Sequence, residues 1–397
     1  MAPSNSSTPW QVFLVFLRLG LTSFGGPVAH LGYFREEFVS RKKWLSEESY
    51  ADMVALCQFL PGPASSQVGL AVGLSRAGYL GALAAWAGFT LPSALVLTIF
   101  ALSIATANAD LLSGVLQGLK VVAVAVVAQA VWGMARQLCP DRLRLTIMAL
   151  CAAVLLLVPG VWMQVGSILA AGLAGLLLFK PEQTVGREAM QVPVSRRAAL
   201  FWLGLFAGGL VILPLLAGIY PGGSMAVIDA FYRAGSLVFG GGHVVLPLLQ
   251  AEVVLPGWVD NNTFLAGYGA AQAVPGPLFT FASFLGASMQ AGPGGRLGSM
   301  LCLVAVFAPS FLLVAGALPF WEELRHNTRM QAALSGINAA VVGILLAALY
   351  HPVWTSAIHA PRDFALALLA FIALVFWKAP PWLVVLACAA GGWLFFS

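Results

Sequence analysis

The chain has 397 residues, 60% of them hydrophobic and only 9% charged, with a formal net charge of +5. Soluble proteins carry about 25% charged residues, so a surface that faces water throughout is excluded and a polytopic membrane protein embedded in a lipid bilayer is expected. The positive balance calls for no nucleic-acid partner, because Lys and Arg cluster in short loops, where they act as topology signals.

The opening MAPSNSSTPW has no basic n-region and the first basic residue is Arg18, so no cleavable signal is expected. Two short helices, 11–23 and 27–40, are predicted around Phe24-Gly25-Gly26-Pro27, and two more, 47–60 and 64–75, around Pro61-Gly62-Pro63. Pro removes a backbone donor and Gly permits sharp turns, so each group breaks a helix. Ser46, with Glu47 and Glu48 after it, predicts the N-cap of the third helix. Apolar runs follow at 79–106, 113–137, 143–159, 162–179 and 198–218, each near the length that crosses ~30 Å of hydrocarbon. The polar stretch 180–197 separates two halves. Broken pairs then recur at 226–238 with 243–255 and at 261–274 with 278–291, followed by runs at 297–320, 330–350, 363–378 and 381–396. The five cysteines (Cys57, Cys139, Cys151, Cys302 and Cys388) form no CxxC pair, and no His is placed to complete a zinc site. No metal, cofactor or catalytic group is therefore expected.

The second half repeats the first. Phe24-Gly25-Gly26 returns as Phe239-Gly240-Gly241, and Pro61-Gly62-Pro63 as Pro275-Gly276-Pro277. With one residue of slippage, Arg18 matches Arg233, Glu37 matches Glu252, Trp44 matches Trp258 and Gln58 matches Gln272. Further on, Gly81 matches Gly298, Pro92-Ser93 matches Pro309-Ser310, and Lys120 matches Asn338. Duplication with Gly and Pro breaks inside apolar segments is the mark of a secondary transporter. The first copy carries Arg35, Arg41, Lys42 and Lys43 before its Trp, whereas the second has no Lys or Arg between Arg233 and Arg296. Basic loops stay cytoplasmic, so the copies should face opposite sides. The expected fold class is an all-α polytopic membrane protein of two inverted-topology repeats with broken, re-entrant helices. Its parts are a first repeat over 1–179, a basic cytoplasmic linker with a connecting transmembrane helix over 180–225, and an inverted second repeat over 226–397.

Irregular backbone at membrane depth is tolerated where protein buries it or a polar cavity wets it. The restarted helices aim unpaired N–H groups and partial positive charge at the breaks, which suits an oxyanion; a packed kink is the other reading. Candidate substrate-binding residues are Gly25, Gly26, Gln58, Gly62, Ser65 and Ser66 in the first copy, with Gly240, Gly241, Gln272, Gly276 and Thr280 in the second. Pro61, Pro63, Pro275 and Pro277 are the structural breaks. Arg18 and Arg233, each six residues before its Phe-Gly-Gly, are expected to grip the anion, since Arg suits two parallel bonds to an oxyanion and is costly in lipid otherwise. Asp229, four residues before Arg233, is placed to pair with it. Lys120 reads either as a third cationic ligand or as a snorkelling stem. Glu37 and Glu252 are expected on solvated faces, and His30 and His243 in satisfied polar contacts.

FGGPVAHLGYF, the WLSEESYADMVALCQFLPGPASSQ block and the FGGGHVVLPLLQAEVV…GYGAAQAVPGP block together resemble the chromate ion transporter family in its long, two-repeat form. The resemblance implies a multi-pass carrier of the bacterial inner membrane that expels chromate and gives resistance, with sulfate as the substrate of some members. It leaves room for a homodimer. A dianion leaving an inside-negative cell gains ~2.3 kcal/mol per charge per 100 mV, about a thousand-fold in concentration at ~1.4 kcal/mol per decade, which favours export. Alternatives are a sulfate or related oxyanion transporter, or an anion channel on the same fold. An enzyme is not expected, since HExxH, nucleotide-loop and paired-cysteine motifs are missing from the sequence.

Overall fold

A computed structural model of the protein describes residues 7–106, 109–180, 194–220, 223–290 and 292–396, and among them every regular element is helical. The first half begins with α1 (Pro9–Thr22), α2 (Gly26–Arg35) running into a π-helical segment Glu36–Arg41, and α3 (Glu47–Phe59). Helical residues Ala64–Thr106 are then interrupted at Ala77 and Gly78, whose non-helical dihedrals fold the stretch back on itself. They form α4 (64–76) and α5 (79–106). The half closes with α6 (Ala109–Leu138), α7 (Arg142–Leu157) and α8 (Val161–Leu178). An unpaired helix, α9 (Arg196–Ile219), leads to the second half.

There the same order returns. α10 (Ser224–Ser236) corresponds to α1, and a 3-10 turn with α11 (Val245–Val253) to α2. α12 (Asn261–Ala271) corresponds to α3, and a second 3-10 turn with α13 (Phe281–Ser288) to α4. α14 (Gly295–Ala317), α15 (Thr328–Ala348), α16 (Pro361–Val375) and α17 (Pro381–Phe396) complete the set. Six described stretches are long and apolar enough to cross a membrane: Ala64–Ala105, Ser113–Leu138, Val161–Leu178, Arg196–Ile219, Gly295–Phe320 and Thr328–Ala357. Exposed Leu200, Phe201, Val211, Leu215 and Ile219 on α9 suit lipid rather than water.

Local chemistry explains the matched ends. Ser46 and Asp260 cap α3 and α12 by accepting from the Ser49 and Thr263 amides. The loops before them fold alike, with Trp44 N–H donating to Phe38 and Trp258 N–H to Val253. The one-residue slippage falls between Glu37 and Trp44, where the first half carries its π-helical segment; a π turn is how a helix absorbs one extra residue.

The halves are interwoven. α6 packs against α16 and α17 of the second half, and α15 packs against α7 and α8 of the first. α4 and α5 approach closely at Gly73 and Gly81, and α13 and α14 at Gly286 and Gly298, the latter matched to Gly81. At both crossings an added Cβ would run into opposing backbone, so these helices meet as closely as small residues allow.

Candidate functional site

Each predicted break is present, and its backbone accounts for it. α3 ends at Phe59, Gly62 lies at φ +127°, and α4 restarts at Ala64, with the Gln67 amide donating to Pro63. In the second copy Gly276 lies at φ +101°, after which the Thr280 amide donates to Pro277. Gly25, Gly26, Gly240 and Gly241 all have positive φ, the region open mainly to glycine.

The breaks dock on one another across the two halves. Gly62 N–H donates to Val238 O at 2.7 Å, and Gly276 N–H donates to Ser23 O at 2.9 Å. Ser23 and Val238 are themselves matched positions, so one contact is the pseudo-symmetric copy of the other. The matched serines join in: a Cβ on Gly62 would lie 2.8 Å from Ser310 Oγ, and one on Gly276 would lie 2.9 Å from Ser93 Oγ. Between the Phe-Gly-Gly break of the first half and the Pro-Gly-Pro break of the second lies a cavity of about 20 Å³. Gly25, Gly26, Pro27, His243, Gln272 and Gly276 line it, and it is roomy enough for about one water.

Hydrogen-bonding capacity is concentrated here. Ser23 Oγ, Ser66 Oγ, Thr90 Oγ1, Ser310 Oγ, His30 Nε2 and Gln272 Nε2 are buried with no hydrogen-bond partner among the described residues. Such atoms are rare in folded proteins, and a ligand is one explanation. α2, the 3-10 turn at Gly242 and the 3-10 turn at Leu278 have no side-chain cap. Thr8, Ser46, Asp141, Ser195, Asp260 and Asn327 cap the helices they precede, while α8, α10 and α14, outside the breaks, also lack a side-chain cap. The break collects amide and hydroxyl groups, neutral when His30 is, together with one unpartnered buried acceptor, Gln67 Oε1.

The expected cations lie elsewhere. Arg18 is exposed on α1, on a stripe with exposed Leu14 and Leu21. Arg233 is engaged by Glu252 through two hydrogen bonds of 2.9 Å and by Asp229 at 3.2 Å. Lys120 donates to Asn262 at the start of α12, whereas its counterpart Asn338 approaches Gly240 at the break. Gln58 is exposed, unlike the matched Gln272. Ser65 meets His30 Nδ1 at 3.3 Å, and the Thr280 hydroxyl donates to Pro277 O, so its proton is committed to the turn. Glu37 and Glu252 are buried rather than solvated, because each is held by cations: Arg41 and Lys42 for Glu37, Arg233 for Glu252. His243 has its satisfied contact, Tyr268 Oη at 2.9 Å, and His30 has one through Nδ1 to Ser65 and lies by the Ser23 backbone, with Nε2 outside hydrogen-bond geometry. Ser23, Thr90 and Ser310 were missed by the sequence reading. The matched Pro-Ser pairs carried a signal for Ser310; nothing marked the other two. Among the described residues no group of three His, Cys, Asp or Glu is placed to hold a metal.

The family model for chromate transporters matches twice, over residues 10–176 and 225–393, covering both halves of the repeat. The chain belongs to the chromate transporter family. A chromate transport protein of Pseudomonas aeruginosa is 30% identical, over 99% of this chain and 94% of its own length. An uncharacterized transporter of Methanocaldococcus jannaschii is 28% identical, over 87% of this chain and 85% of its own. A probable chromate transport protein of Synechococcus elongatus is 25% identical, over 98% and 95%. No solved structure matches the chain. Family membership and the apolar helices together make this a multi-pass membrane protein of a transporter family.

Proposed function

We propose that the protein is a secondary carrier of tetrahedral oxyanions, chromate first and sulfate as the near alternative, exporting them across the bacterial inner membrane. The observation that carries this reading is the interlocked pair of breaks. Both halves contribute to one locus of uncapped helix starts and unpartnered buried donors, where an anion finds N–H groups and partial positive charge. Neutral donors can hold a dianion without trapping it, since no fixed countercharge opposes release.

The repeats have inverted topology in this reading. Arg76 lies over Trp44, so the basic loop and the turn at Ala77 share one end of the bundle. Tyr79, just after that turn, contacts Trp202 on α9, and the end of α14 reaches Ala199 at the start of α9. The other end of α14 lies at Gly286, whose turn meets the Trp258 loop through Gln290. Matched loops therefore sit at opposite ends of α14. The first end gathers Arg41, Lys42, Arg144 and Arg196 and is assigned to the cytoplasm. The linker residues 181–193, including Arg187, lie outside the described residues.

Flux of labelled chromate in proteoliposomes, with sulfate and molybdate as competitors, tests the reading. Saturable chromate flux, competed by sulfate, is expected. Ser66→Ala and Ser310→Ala should each weaken apparent affinity roughly two- to ten-fold, as loss of a neutral hydrogen bond worth about 0.5–1.5 kcal/mol implies. Absence of saturable flux for all three oxyanions overturns it.

A further inference from the structure

The second hairpin carries a charge cluster that the oxyanion site does not use. Arg233 on α10 faces Glu252 on α11 through Nε and Nη2, and Asp229, one turn earlier on α10, meets the same Nη2 at 3.2 Å. Their side chains are 19%, 8% and 9% exposed. α10 packs against α9 and α14, and α11 against α15 and α8. None of these brings a charged side chain within ion-pair distance among the described residues. From α8 comes the Trp162 ring, 5.9 Å from the guanidinium, and the Tyr232 hydroxyl turns away to Phe206 O on α9.

Two carboxylates thus share one guanidinium inside an apolar bundle. With both ionised the cluster carries one surplus negative charge, an expensive arrangement for side chains this buried; one bound proton makes it neutral. The first half shows what the pair looks like without the extra acid. Asp229 is matched there by Leu14, Arg18 is exposed, and Glu37 pairs within its own segment. The surplus acid is therefore particular to the second hairpin, and it ties together the two arms whose tip is the Gly240–Gly241 break. α11 also walls a mostly apolar cavity of about 400 Å³, into which Gln164, Gln250, Asn261 and His351 bring polar groups; Ala251, next to Glu252, lines it, but none of the three cluster residues does.

We infer that Asp229, Arg233 and Glu252 form a proton-binding site that couples oxyanion export to proton entry. A proton from the outer water binds a carboxylate oxygen of Asp229 or Glu252, neutralises the cluster and leaves on the inner side as the hairpin repacks. The dianion moves the opposite way. No covalent bond other than that O–H forms or breaks. This rests on the carrier reading above, and the test keeps the two apart.

Proteoliposomes are clamped at zero potential with potassium and valinomycin, at pH values where the oxyanion stays fully ionised. Labelled sulfate or chromate should accumulate when the lumen is more acid than the bath. Asp229→Asn keeps the Arg233–Glu252 pair, so it should fold; it should abolish this accumulation while equal-pH exchange of labelled oxyanion continues. Glu252→Gln, which keeps Arg233–Asp229, should do the same. Wild-type exchange with no accumulation under either gradient sign, accumulation only with an alkaline lumen, or intact accumulation in both variants overturns the proton site. Loss of wild-type exchange for every oxyanion instead overturns the carrier reading.

Discussion

Arg18 and Arg233 occupy matched positions and have opposite surroundings, and the difference traces to single neighbours. Asp229 and Glu252 draw Arg233 into the bundle, while Leu14 and Leu21 leave Arg18 on an exposed apolar stripe, where its long stem can snorkel. Arg18→Leu should leave apparent oxyanion affinity and thermal stability in detergent unchanged. Arg233→Leu strands two buried carboxylates and should cost about 3–5 kcal/mol of stability, read as a melting temperature several degrees lower. Equal loss of affinity in both variants, without loss of stability, would return the arginines to the anion site. At this scale the sequence was informative where backbone is at stake: Gly25, Gly62, Gly240 and Gly276 need positive φ, and only glycine supplies it cheaply. It was uninformative about side-chain direction, which depends on how a helix is rotated in the bundle. Ser23 and Thr90 looked like any small polar residue in an apolar run, and only burial without a partner marks them.

Among the elements, the broken pairs, the cap at Ser46 and the unpaired α9 were all legible, because each rests on local chemistry. The π-helical segment was visible only as one residue of slippage, since the hydrophobic pattern does not reveal how an extra residue is accommodated. The breaks themselves offer a direct test. Replacing Pro61, Gly62 and Pro63 together by Ala lets α3 run on into α4, so that the amides now at the break become intrahelical and the bond from Gly62 N–H to Val238 O is lost. Ala favours helix, so the variant should insert. It should lose substrate-dependent thermal stabilisation, which for a binding-competent protein grows as RT ln(1 + [L]/Kd). The same change at Pro275, Gly276 and Pro277 should act alike, through the bond to Ser23 O. A persistent chromate-dependent melting shift in both variants would place the anion elsewhere.

For the molecule as a whole, sidedness is the leading question. Lys42→Cys and Asn262→Cys put single reactive thiols on matched loops; Lys42 is preferred to Lys43, whose φ is +51°. The five native cysteines are buried and should stay silent. An impermeant reagent should label the two sites from opposite sides of the membrane, and labelling of both from one side would rule out inverted repeats. The exchange of partners between halves was not legible in the sequence: nothing local tells α6 to seek α16 and α17, or α15 to seek α7 and α8. That exchange bears on how the molecule is made. During synthesis α7 and α8 enter the bilayer long before α15 exists to receive them, and α6 keeps an uncovered seam until α16 and α17 emerge. α1 and α5 pack on one another within the first half and can meet early, so what waits for the second half is the open seam of α6, α7 and α8.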